Sequence, residues 1–390
     1  MTTKKRTKVA VLFGGRSVEH EISVISALQL IQAIDPAVYD VTPVYIAPNG
    51  SWYTGDELLS RPFYAKVPGN LAHLQEVTLL PKPGTGGLSK IGGGTTDILP
   101  IDVFLPAFHG QYGEDGCMQG LFELADVPYT GSNVVSSALT MNKYACKMFL
   151  KEQGIPVLPA LLIPRKVAQR DIQKVTAEIL STEGFSTLPL FVKPCNLGSS
   201  IGVSKVKEAG ELAAALAKVF RYDTHALVEP CVSQIMEINV SIRDYNGVHA
   251  SVVEIPVSQS GVLSYEEKYL RGGGKKTGQS EGMASLTRVI DPQDLDTDLR
   301  DRVISLGKKA FAALGCSGVA RLDFIVDLAN GSLYFNELNA FPGSCSFYLW
   351  VKSQPRVLYT DLIHNMIETA LLNHATAASL DRNIGLKALK

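Results

Sequence analysis

Gly318-Val319-Ala320-Arg321-Leu322-Asp323-Phe324-Ile325-Val326 and Ser332-Leu333-Tyr334-Phe335-Asn336-Glu337-Leu338, the second followed by Asn339, are two apolar runs punctuated by charge, separated by the turn sequence Ala329-Asn330-Gly331. The spacing predicts an antiparallel pair of strands. Residues two apart on a strand face the same side, so the pair gathers Asp323, Glu337 and Asn339 on one face, with Arg321 beside them. Three hard oxygen ligands suit Mg2+, which completes its shell with phosphate oxygens and water. The competing reading is a half-exposed sheet with ordinary ion pairs. It is weaker, because the strands are otherwise apolar and would bury uncompensated charge. Oxygen ligands without His or Cys argue against zinc.

Two Gly-rich segments upstream compete for the phosphates such a cation would accompany. Gly14-Gly15-Arg16-Ser17 follows the apolar run Val9–Phe13 and precedes a helical pattern (Ile22, Ile25, Leu28), with Ser17 as the expected N-cap. It lacks dinucleotide-binding spacing and reads equally well as a tight βα turn. Lys193-Pro194-Cys195-Asn196-Leu197-Gly198-Ser199-Ser200-Ile201-Gly202-Val203 lies between two strands and has no GK[ST]. Its tip could lay amides and hydroxyls over a triphosphate, with Lys193 as a point charge. Taken alone, it reads more simply as a polar hairpin turn.

The rest of the chain sets the frame. Strands are expected at Tyr39–Ile46 and Asp102–Pro106, an exposed loop or hairpin at 80–97, and helices at Asn142–Gln153, Glu208–Phe220, Leu295–Leu314 and 356–373. The GGGKKTG stretch at 272–278 reads as a mobile lid. At 390 residues and 46% hydrophobic content the chain can bury several cores, and a net charge of −1 argues against nucleic acid as a partner. No apolar run is long enough for a membrane span. Six dispersed cysteines without a CxxC fit a reducing cytoplasm.

In this order, the segments resemble the ATP-grasp fold and, within it, the D-alanine–D-alanine ligases. The matching pieces are Phe13–Ser23, Phe108–Gly116, Pro128–Ser132, Met141-Asn142-Lys143, Lys193–Val203, Glu267-Lys268-Tyr269, Ala320–Phe324 and Asn336–Asn339 with Pro342-Gly343. Each is weak alone; eight in register are specific, and they span residue 8 to about 350. The resemblance implies an α/β (α+β) chain of three domains. These are an N-terminal α/β parallel-sheet domain (1–140), a small central ATP-binding domain (141–230) and a C-terminal antiparallel-sheet domain (231–375), with a tail at 376–390.

It also implies roles. Lys143, Lys193 and Lys268 would hold ATP phosphates under Ser199 and Ser200. Glu229 would bind the adenine amino group and Glu237 the ribose, with Val232 also in the ATP site. Asp323, Glu337 and Asn339 would carry two Mg2+ ions, with Mn2+ as an alternative. Glu19 would bind the first substrate's ammonium and form a closing triad with Ser199 and Tyr269. His109 would lie near that substrate's carboxylate, and Arg321 with the Gly343 amide would stabilise the oxyanion. The expected reaction is ATP-dependent joining of two D-alanines for peptidoglycan, by a cytoplasmic enzyme. A homodimer is expected by analogy.

Four positions depart from the family pattern. Pro230 follows Glu229, one extra residue separates Glu229 from Glu237, and Asn142 stands where Asp is usual. Tyr348 replaces the serine that binds the second substrate's carboxylate, leaving Ser344, Ser346 or the phenol as substitutes. The alternatives are therefore a related ligase with another acceptor amino acid, or a non-catalytic binding protein on the same fold.

Overall fold

The computed structural model describes residues 5–94, 97–257, 288–381 and 385. Three sheets follow one another along the chain. The first has β1 (Thr7–Gly14), β2 (Tyr39–Ile46), β3 (Trp52–Thr54), β4 (Gln75–Thr78), β5 (Gly87–Lys90), β6 (Ile98–Pro100) and β7 (Val103–Pro106), in spatial order 6-5-4-3-2-1-7. Val9–Phe13 is wholly buried, as expected of a central strand covered on both faces.

The parallel sheet expected here is only half of the arrangement. β1 runs parallel to β2 and β7, but β3 to β6 extend the sheet antiparallel. The cause is the tight turn after β2, where Gly50 N donates to Ala47 O at 2.8 Å and Ala47 N to Ser51 O at 2.9 Å. A turn that short cannot carry a parallel crossover. The stretch at 80–97 is correspondingly not all exposed: β5 lies in it, and Leu88 is buried.

Ser17 is not the helix cap that was expected. The helix runs His20–Ala33 with Glu19 in the cap position, and the Ser17 hydroxyl instead accepts from Glu19 N at 3.1 Å.

The second sheet is antiparallel: β8 (Leu161–Pro164), β9 (Leu190–Pro194), β10 (Ser204–Val206) and β11 (His225–Pro230), in order 10-9-11-8. Helices Ile172–Ser181 and Leu212–Val219 close its core through Val175, Ile179, Leu212 and Leu216. The third sheet comprises β12 (Ile235–Arg243), β13 (His249–Pro256), β14 (Arg288–Ile290), β15 (Val319–Asp327) and β16 (Ser332–Asn339), in order 14-13-12-15-16, also antiparallel. Helix Thr297–Ala313 packs on it through Val303, Ala310 and Phe311.

Two helices tie the sheets together. Lys143–Glu152 places Cys146 and Leu150 in the core of the third sheet. Its cap is Asn142, whose Oδ1 accepts from Ala145 N at 2.9 Å while Nδ2 donates to Asn196 Oδ1 at 2.9 Å, on the loop after β9. An aspartate could cap the helix but could not donate to Asn196. The C-terminal helix Tyr359–Ala378 returns to the first sheet, burying Leu362, Met366 and Ile367 there.

Candidate active site

β15 and β16 pair with Asp323 opposite Glu337 and Arg321 opposite Asn339, so the four side chains expected on one face meet there. Arg321 donates to both carboxylate oxygens of Asp323 at 2.7 Å, and Asn339 Nδ2 donates to Asp323 Oδ2 at 3.2 Å. Glu337 lies 3.4 Å from Lys143 Nζ, which also donates to Leu197 O at 2.6 Å. Among the described residues no group of three or more His, Cys, Asp or Glu is placed to hold a metal. Two carboxylates and an amide oxygen fit Mg2+ only when phosphate and water complete the shell, which is the habit of that ion.

Between the second and third sheets lies a cavity lined by Lys143, Lys193, Glu229, Val232, Glu237, Asp323 and Glu337, among others. β9 alternates, burying Leu190 and Val192 on one face, and so turns Lys193 towards the cavity. The expected base-binding Glu229 is engaged there by two lysines: Lys147 pairs with one carboxylate oxygen and Lys193 with the other. These partners outweigh the desolvation of Glu229 and hold its carboxyl down at about 2. Lys147 was not among the expected residues. Its signal in the sequence is faint: a lysine one helical turn after Lys143, inside the apolar stretch Ala145–Leu150.

A second cavity adjoins the first and is lined by Glu19, His109, Glu114, Ser199, Arg321 and Gly343, among others. Ser199 donates its hydroxyl to Glu19, bringing the loop between β9 and β10 onto the first sheet's Gly-rich turn. Ser199 and Ser200 both adopt left-handed backbone, with φ of 53° and 58°. Gly110 is required beside them: its φ is +83°, and an added Cβ would stand 2.7 Å from Glu19 Oε2.

His109 hydrogen-bonds Ser26 Oγ through Nε2 at 2.8 Å, and burial pushes its imidazole down to about 4. Glu114, also not foreseen, accepts from Gly110 N at 2.7 Å and Phe341 N at 3.2 Å, and so joins the loops on either side of the cavity. Burial, aided by the charges of Glu19 and Asp115, pushes its carboxyl up to about 8 against those hydrogen bonds.

Gly343 opens a turn in which Ser344, Cys345 and Ser346 are all left-handed, with φ between 49° and 52°. Ser344 Oγ donates to Gln29 Oε1 at 2.7 Å. Tyr348 is buried, donates to Glu254 Oε1 at 3.2 Å and lies under Arg288, whose guanidinium is 4.2 Å from the ring centre. Ser344 and Tyr348 are not among the residues lining either cavity. The expected Lys268 and Tyr269 and the lid at 272–278 lie outside the described residues.

Two antiparallel sheets closing on a cavity, one carrying the Gly-Ser loop between β9 and β10 and the other setting Asp323 opposite Glu337, define an ATP-grasp fold. Sequence comparison agrees with the class and narrows it. The family model for the D-ala D-ala ligase N-terminus matches residues 8–132, and that for the C-terminus matches 149–368. The D-alanine–D-alanine ligase A of Bradyrhizobium diazoefficiens is 39% identical over 97% of this chain and 98% of its own. Among solved structures, the D-alanine-D-alanine ligase from Coxiella burnetii superposes with a TM-score of 0.77 at 28% identity, over 99% of this chain and 100% of that one. The VanG D-Ala:D-Ser ligase from Enterococcus faecalis gives 0.75 at 27%, over 94% and 100%. The chain belongs to the D-alanine–D-alanine ligase family.

Proposed function

We propose that the chain is an ATP-dependent ligase that joins two D-alanines into D-alanyl-D-alanine, releasing ADP and phosphate, for peptidoglycan synthesis. The observation that carries this reading is the junction of the two cavities. Both are lined by Lys143, Gly198, Arg321 and Glu337, so a phosphate chain in one meets an amino acid in the other at those four residues.

A carboxylate is a poor acyl donor until its oxygen becomes a good leaving group. The first D-alanine's carboxylate oxygen attacks the γ-phosphorus, the bond to the β,γ-bridging oxygen breaks, and ADP leaves with that electron pair. Lys143 and Lys193 neutralise the transferring phosphate, with Ser199 and Ser200 in the loop above it. Mg2+ at Asp323, Glu337 and Asn339 would supply charge neutralisation across the phosphates. Glu19 holds the donor's ammonium, which places the carboxylate for in-line attack. Glu229 receives the adenine and Glu237 the ribose, with Val232 in the wall of the same cavity.

The second D-alanine's amine then attacks the acyl phosphate. Arg321 and the Gly343 amide stabilise the tetrahedral oxyanion, the C–O bond to phosphate breaks with its electron pair going to phosphate, and the amine's proton passes to that leaving phosphate. His109, held neutral by burial, is suited to orient the donor without adding a charge. A second reading keeps this chemistry but takes another acceptor; what favours it is that Tyr348 stands where the family's serine would meet the acceptor's carboxylate, and its hydroxyl is spent on Glu254.

Partners are small molecules, and a cytoplasmic homodimer is proposed by analogy with the family; among the described residues no helix is long and apolar enough to cross a membrane. Light scattering should give twice the 42.1 kDa chain mass. The acyl-phosphate route is tested with D-alanine labelled by 18O in its carboxylate. Label must appear in the released phosphate; unlabelled phosphate beside labelled dipeptide would contradict it.

A further inference from the structure

Lys147 has no task in the mechanism above, yet it is wholly enclosed. Its side chain is 0% exposed, while Lys193 keeps 14% and lines the first cavity. Both pair with the same carboxylate, that of Glu229. One Lys193–Glu229 pair would already be neutral, so Lys147 adds an excess buried charge, which is costly. Desolvation does bear on it, lowering the ammonium's proton affinity against the pull of Glu229.

The two lysines differ in what they can do. Lys147 stands on helix Lys143–Glu152 between the core residues Cys146 and Leu150, with no opening to the cavity. Lys193 stands on the cavity wall. If Lys193 turned to a phosphate without Lys147 present, it would leave a buried carboxylate unpaired. With Lys147 present, the carboxylate stays compensated.

We propose that Lys147 is a positioning residue: it is the permanent counter-charge of Glu229 and thereby releases Lys193 to bind the phosphate chain of ATP. This rests on the ATP-dependent reading above and assigns how its phosphate site is kept available. Remove Lys147, and Lys193 becomes locked to Glu229. Remove Glu229 as well, and Lys193 is released again.

The test uses magnesium tripolyphosphate, which has phosphates but no base, and adenosine, which has a base but no phosphates, as competitors of ATP. In Lys147→Met the tripolyphosphate inhibition constant should rise on the order of tenfold or more, as when a desolvated charge contact is lost. Adenosine inhibition should move much less. In the double variant Lys147→Met/Glu229→Gln, tripolyphosphate inhibition should return to the wild-type level. Replacing both members of a buried pair is far less disruptive than removing one, so the double variant remains informative if the single one does not fold. Unchanged tripolyphosphate inhibition in folded Lys147→Met, or weakened inhibition in the folded double variant, overturns the proposal. Wild-type protein that binds neither ATP nor tripolyphosphate would overturn the ATP reading itself.

Discussion

Arg321 and Asp323, two residues apart on β15, hold each other through two hydrogen bonds of 2.7 Å, one from Nε and one from a terminal guanidinium nitrogen. The proposed oxyanion donor and the proposed metal ligand are thus one paired unit. Replacing Asp323 with Asn weakens the hold on Arg321 and removes a hard ligand together. Turnover should fall by about 10²-fold or more, in the range of losing a transition-state charge contact. The Mg2+ concentration for half-maximal phosphate release should rise as well. An unchanged Mg2+ dependence would place the ion elsewhere.

Ser199 and Glu19 join the phosphate loop to the first sheet, 180 residues apart in sequence. A hydrogen bond to a charged carboxylate is worth about 1.5–3 kcal/mol. Ser199→Ala should therefore raise KM for the donor D-alanine by roughly tenfold or more. The melting temperature should change little, since the loop is at the surface of the cavity. Initial-rate kinetics at saturating ATP read this directly, and an unaltered donor KM would refute the role.

His109 gives the fold an acid-sensitive point. Its ordinary value of 6.5 is pushed down to about 4 by burial. Below 6.5 the unfolded chain takes up a proton that the folded chain refuses. The contribution to stability is therefore complete above 6.5 and is lost as pH falls towards 4. Thermal melts of His109→Gln, which has no titrating ring, should vary less across that window than wild-type melts.

Tyr348 donates to Glu254, which also receives Asn239 Nδ2 at 3.1 Å and Arg288 at 2.7 Å. Tyr348→Phe leaves those two contacts in place but removes a hydrogen bond to a carboxylate, and should cost about 1.5–3 kcal/mol. Because the hydroxyl points to Glu254, acceptor KM should hardly move. Tyr348→Ser empties a buried site under Arg288 and should cost roughly 3–5 kcal/mol. A large rise in acceptor KM in the Phe variant would instead put the phenol on the substrate.

These contrasts also mark what could be read beforehand. The bounds of the β15–β16 hairpin were legible to within a residue, but its register was not: counted from Asp327 opposite Ser332, unbroken alternation would set Glu337 opposite Leu322, and an irregularity between Asp323 and Phe324 shifts the pairing by one so that Glu337 meets Asp323. That one-residue shift, which no period in the sequence shows, brings 321, 323, 337 and 339 together on one side. Lys147 and Glu114 were not legible as site residues. A charged residue in a helix or Gly-rich loop looks the same in sequence whether it faces water or a buried partner. The antiparallel extension of the first sheet was hidden for a different reason: Trp52–Thr54, Gln75–Thr78 and Gly87–Lys90 are strands of three or four residues, too short for a period to show. Tyr348 was visible as a departure, but the direction of its hydroxyl depends on Glu254, almost a hundred residues away.

The central claim is that this chain ligates D-alanine with MgATP. Pairwise incubation of D- and L-amino acids with the protein and MgATP, reading phosphate release and product mass together, tests it most directly. D-alanine alone should yield D-alanyl-D-alanine with one phosphate per dipeptide. Phosphate and dipeptide from some other pair, with none from D-alanine, would contradict the account.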